Sequence, residues 1–130
     1  MSRVAVVTGG GSGLGQAICS KLAGDGHRVA VLDVNGEAAA KVAAEIVASG
    51  GDATPMDCDV SEEDSVSAAF DAVRAQYGPV ELLVTSAAIS GFTRFDKITV
   101  GEFNRYLAVN LTGTFVCIRA ALADMVPAKW

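Results

Sequence analysis

No run of lysines and arginines occurs anywhere in the 130 residues, and acidic side chains outnumber basic ones, 15 to 10, for a formal net charge of −5. Nucleic acid and anionic membrane surfaces both require clustered positive charge, so neither is an expected partner. Cysteine is sparse: Cys19, Cys58 and Cys117 lie far apart, form no C-x-x-C pair and are odd in number. That pattern builds no disulfide framework and suits a reducing compartment, with three buried small apolar side chains as the simplest reading. The apolar run at 4–7 breaks at Thr8 and Gly9, too short for a secretory segment and far below the roughly 20 residues that span a bilayer. A cytoplasmic location is therefore expected. Repeats, low-complexity tracts and linker-like stretches are missing too, so residues 1–130 are expected to form one domain.

What is present is apolar material in a regular alternation. Hydrophobic residues make up 51% of the chain, enough for a packed core and too many for disorder. Residues 3–8 and 28–33 read as short β-branched strands buried on both faces, 53–58 as a weaker third strand and 81–85 as a fourth. Between them run helical patterns: Leu14, Ala17, Ile18 and Leu22; then Val42 and Ile46; then Val66, Ala69, Phe70, Val73 and Tyr77. A last helix carries Phe103, Leu107, Leu111, Phe115, Ile118, Leu122 and Met125. Capping boxes at Ser61–Asp64 and Thr99–Glu102 mark two helix starts. Strands that alternate with helices of this length predict an α/β fold with parallel pairing and strand order 3-2-1-4.

Chemistry concentrates where the first strand meets the first helix. Residues 8–15 read Thr-Gly-Gly-Gly-Ser-Gly-Leu-Gly, a turn whose backbone N–H groups, together with the positive end of the helix, suit a pyrophosphate. A strict G-x-G-x-x-G does not fit, because Leu14, Gln16 and Ile18 stand where a third glycine would be needed. A P-loop does not fit either, since Gly15 is followed by Gln16 and Ala17 in place of Lys and Ser or Thr. The pattern T-G-x-x-x-G-x-G, met by Thr8, Gly9, Gly13 and Gly15, resembles the cofactor signature of the short-chain dehydrogenase/reductase family.

That resemblance implies a Rossmann-type doubly wound parallel sheet that holds a nicotinamide dinucleotide. It assigns cofactor binding to Thr8, Gly9, Gly11, Ser12, Gly13, Leu14 and Gly15. Asp33, ending the second strand, stands near the spacing at which a carboxylate accepts from ribose hydroxyls and repels a 2′-phosphate. Ser12 and Val34 occupy places where NADP-using relatives carry Arg or Lys, so NAD is favoured over NADP. Asp59 and Val60 match the adenine-contacting pair. Ser86, Ala87 and Ala88 match the nicotinamide-side segment, usually Asn-Asn-Ala-Gly at 85–88, from which Thr85, Ser86 and Ala88 depart. Asn110 matches the asparagine that kinks the last helix and helps hold a water in the proton relay, which makes it the one candidate catalytic residue here. No metal ligand set is expected.

The implied activity is hydride transfer between the cofactor and an alcohol or ketone. In the family, a Ser orients the carbonyl and a Tyr with a Lys four places later moves the proton. Tyr77 and Tyr106 are followed at that distance by Glu81 and Asn110, so neither begins a Tyr-x-x-x-Lys. The chain resembles the first half of a family member, truncated before the fifth strand. Two readings stand: an oxidoreductase whose cofactor-binding half this is, expected to lack turnover alone, and a non-catalytic dinucleotide-binding or assembly module. The uncovered last helix and fourth strand also point to a homo-oligomer.

Overall fold

The computed structural model describes residues 1–129. Strand β1 (Val4–Thr8) is buried along its length, as a β-branched run must be when helices cover both faces of its sheet. With β2 (Arg28–Asp33), β3 (Asp52–Asp57) and β4 (Leu82–Thr85) it forms one parallel sheet in the order β3-β2-β1-β4. Val4 pairs with Arg28, Arg28 with Asp52 and Ala5 with Leu82, which brings the carboxyl ends of all four strands to one edge. β3 is the weak strand: it is an edge, half exposed, and contains Pro55, whose missing N–H only an edge tolerates. β4 starts one residue later than expected, and Glu81 just before it donates its N–H to the Val4 carbonyl and accepts the Val4 N–H on its carboxylate, both at 2.9 Å.

Alternate residues of β1 and β2 feed two cores. Ala5, Val7, Val29 and Val31 pack against Cys19 of α1 (Gly13–Gly24) and Val42 and Ile46 of α2 (Gly36–Ala48). Val4, Val6 and Leu32 pack against Val66, Phe70 and Val73 of α3 (Glu63–Tyr77) and Cys117 of α5 (Gly113–Met125). Complete burial of a side chain such as Phe70 contributes roughly 1.5–3 kcal/mol. All three cysteines are free and buried.

Three details differ from the sequence reading. First, α1 buries Gly15, Cys19 and Ala23, whereas Leu14 is 72% exposed and Ile18 and Leu22 are only half-buried. Small residues face the sheet there because the helix backbone packs close to the turn after β1. Second, the Ser61–Asp64 capping box does not form. Ser61 donates both its N–H (3.0 Å) and its hydroxyl (2.6 Å) to Asp59 Oδ1, and α3 starts two residues beyond it. At the other box Thr99 accepts from the Glu102 N–H at 3.1 Å, but the Glu102 carboxylate accepts hydrogen bonds from the Thr93 and Tyr106 hydroxyls instead of reaching back. Third, the last helix is not uniform: α4 (Val100–Tyr106) passes through a π-helical stretch, Leu107–Thr112, before α5.

Candidate active site

The loops at the carboxyl edge of the sheet enclose a cavity of about 530 Å³, within the usual range for small-ligand sites. Its floor is the turn after β1. Gly9 has φ +65°, and a Cβ there would lie 2.7 Å from Ala87 Cα, so only glycine lets the end of β4 come this close. Gly15 faces back on the same turn, where a Cβ would collide with the Gly9 carbonyl oxygen. Gly13, in contrast, has nothing within 4 Å of its would-be Cβ and opens onto the cavity.

The candidate residues take two kinds of place. Gly9, Ser12, Gly13, Leu14, Gly15, Asp33, Val34, Asp59, Val60, Ser86, Ala87 and Ala88 line the cavity together. Thr8 and Gly11 stand behind its wall. The buried Thr8 hydroxyl accepts from the Ser86 and Ala87 N–H groups at 3.2 Å each, bolting the end of β4 to β1. Gly11 donates its N–H to Asp33 Oδ2 at 2.9 Å, while Asp33 Oδ1 accepts from the Asn35 N–H at 2.9 Å. Asp33 is thus half-buried, held by backbone and at the cavity rim.

Asn110 lies in the π-helical stretch and does not line the cavity. Its amide forms a closed pair with the backbone of Ile89: Oδ1 accepts the Ile89 N–H and Nδ2 donates to the Ile89 carbonyl, both at 2.9 Å. The wide turn and the loop after β4 therefore hold each other. Gly113 has a packing reason: a Cβ there would lie 2.7 Å from Val60 Cγ2, so glycine lets α5 approach the turn that carries Asp59 and Val60.

Sequence reasoning missed several lining residues. Cys58 and Ser61 flank Asp59 and Val60, and Ala108 and Val109 immediately precede Asn110, so each adjoins a residue already named. Burial pushes the Cys58 thiol up to about 11, which leaves it protonated and unreactive at neutral pH. Arg105 also lines the cavity, a cation among lining residues that include Asp33 and Asp59, and no periodicity signals it. Neither tyrosine lines the cavity. Tyr77 donates to Asp52 at 2.7 Å and Tyr106 to Glu102 at 2.9 Å. Burial and then the Asp52 bond raise the Tyr77 pKa; for Tyr106 the bond to Glu102 is the main cause. Among the described residues no group of His, Cys, Asp and Glu could hold a metal ion.

Comparison with known proteins agrees with this geometry. Residues 3–130 match the model of the family described as short chain dehydrogenase. The chain is 38% identical over 126 residues to D-threitol dehydrogenase of Mycolicibacterium smegmatis, covering 97% of this chain and 48% of that protein. It is 44% identical over 121 residues to sorbitol-6-phosphate 2-dehydrogenase of Escherichia coli, covering 92% and 47%. A solved structure of hydroxysteroid dehydrogenase from Escherichia coli superposes with a TM-score of 0.93 at 32% identity, over 97% of this chain and 53% of that one. The chain spans about half the length of the curated relatives it matches. A matched family model over nearly every residue, on a parallel 3-2-1-4 sheet with a glycine turn at its carboxyl edge, places the chain in the short chain dehydrogenase family.

Proposed function

We propose that this chain is the cofactor-binding portion of an oxidoreductase that moves hydride between NAD and an alcohol or ketone. The family works with nicotinamide cofactors. The observation that carries the choice of NAD is Asp33, a carboxylate at the cavity rim with no basic residue at position 12 or 34 beside it. A ribose with free hydroxyls would donate to that carboxylate. A 2′-phosphate would be repelled by it.

The residues present fit the group. Gly13 leaves open the space that a Cβ would fill, and Gly13, Leu14 and Gly15 at the start of α1 line the cavity, so that a helix N-terminus meets it, which suits a pyrophosphate. Asp33 would take the adenosine ribose, Asp59 and Val60 the adenine, and Ser86, Ala87 and Ala88 the nicotinamide side. When bound, NAD supplies the carbon that accepts or gives hydride. This chain's residues hold and orient it, and Asn110 keeps the loop after β4 in place. Proton transfer is not assigned to residues 1–129, whose two tyrosines are both engaged outside the cavity. A cytoplasmic location and a homo-oligomeric state complete the reading.

Titration with NADH and NADPH tests it. NADH is expected to bind more tightly, and Asp33→Ala to narrow the gap by about tenfold through loss of one charge-assisted contact and of the 2′ repulsion. Equal or tighter binding of NADPH by the unsubstituted protein contradicts the assignment.

A further inference from the structure

We propose that the Gly11 peptide sets the cofactor preference by fixing the Asp33 carboxylate in place, an inference that rests on the cofactor reading above. Two backbone N–H groups from different turns meet the two oxygens of this side chain. Gly11, after β1, donates to Oδ2, and Asn35, after β2, donates to Oδ1, each at 2.9 Å. Bonds to an ionised acceptor are about twice as strong as neutral ones. Together they select one rotamer before any ligand arrives.

This has two consequences for discrimination. A ribose diol meets an acceptor already oriented, so binding spends no side-chain entropy on Asp33. A 2′-phosphate meets a negative charge that cannot swing toward solvent. Selectivity by repulsion lasts only while the repelling group stays put. A lone aspartate at the end of a strand would give way; one bonded through both oxygens does not.

The sequence requirement at position 11 is room. A Cβ on Gly11 would lie 2.8 Å from Asp33 Oδ2 and 2.9 Å from the Ala38 Cβ on α2. Any side chain is caught between the carboxylate and the helix, and the carboxylate, on a two-torsion side chain, is the part that yields. Gly11 is a positioning residue: it acts on the cofactor through Asp33.

The test is a double-mutant cycle on the intact protein, with NADH and NADPH titrated by nicotinamide fluorescence. Gly11→Ala is expected to lower the preference for NADH over NADPH about tenfold. Asp33→Ala lowers it as well, and adding Gly11→Ala to Asp33→Ala changes it by less than about twofold, because the group that the methyl would displace is gone. An unchanged preference in folded Gly11→Ala, equal weakening of both dinucleotides, or an undiminished further loss when Gly11→Ala is added to Asp33→Ala overturns the proposal. Should Gly11→Ala alone fail to fold, the double variant decides: folding and binding like Asp33→Ala supports the proposal, and a second failure refutes it. If the unsubstituted protein binds neither dinucleotide, the cofactor reading itself falls and this inference with it.

Discussion

Gly15 shows how far a single hydrogen in place of a methyl can matter. In an exposed helix interior, alanine is favoured over glycine by about 1 kcal/mol. Here the added Cβ would run into the Gly9 carbonyl oxygen, and overpacking against backbone costs about 1–3 kcal/mol, at the upper end when nothing flexible can move. The clash wins. Gly15→Ala is expected to lower stability by about 1–2 kcal/mol net and to weaken dinucleotide binding. Urea unfolding reads it, and an unchanged or raised midpoint would show that the turn can relax. The glycines were legible in the sequence because their spacing states a backbone requirement. Thr8 was legible as part of the motif, but its task was not, because its hydroxyl serves N–H groups 78 and 79 residues away. Arg105 left no mark at all: one exposed cation on a helix looks like any other until the cavity beside it is seen.

At the level of elements, the stretch from α4 to α5 is where pattern and structure part most. A step of three or four runs through Phe103, Leu107, Leu111, Phe115, Ile118 and Leu122 without a break, so the sequence reads as one regular helix. The π-helical turn at Leu107–Thr112 leaves no trace in that stripe; it shows only as a helix-poor Asn110 and Gly113. Both residues have structural reasons, one the Ile89 backbone and the other Val60. Asn110→Ala removes two hydrogen bonds at an exposed site and is expected to cost about 1 kcal/mol. The sharper readout is hydrogen exchange: amides of residues 89–97 should exchange faster while those of β1 and β2 keep their protection. Uniform acceleration would mean that the pair supports the whole fold and not this loop. The failed capping box at Ser61 has a related cause, since Asp59, two residues upstream, offers Ser61 a stronger acceptor than the helix does.

For the whole molecule, strand number, parallel pairing and strand order were readable because right-handed crossovers leave few alternatives. What covers the outer face of the last helix was not. Leu111 is 64% and Phe115 57% exposed, with Phe103, Ile118 and Leu122 beside them on the same stripe. By length and composition alone, Val100–Met125 could cross a membrane, a property it shares with core helices of soluble proteins. Its inner side packs on α3 and β4, and the Arg119 guanidinium lies 5.2 Å from the Phe115 ring centre. At roughly 25 cal/mol per Å², a few hundred Å² of such surface represent several kcal/mol available to association. The protein is expected to be a homo-oligomer in solution, and Leu111→Lys with Phe115→Lys to lower its mass by light scattering. A monodisperse monomer before substitution would contradict this. The register carries one more consequence, for the order of events in folding. β1 meets β2, and β2 meets β3, across separations near the 24 residues between Arg3 and His27, whereas β1 meets β4 across about the 77 between Val4 and Glu81. Loop closure makes that last pairing about 1 kcal/mol more expensive in entropy. The three-strand unit can therefore assemble first, and the wall formed by Ser86, Ala87 and Ala88 comes into being only with the slowest closure. A ligand that spans both walls acts as a clamp on that final step, and its absence should be felt first as breathing of β4.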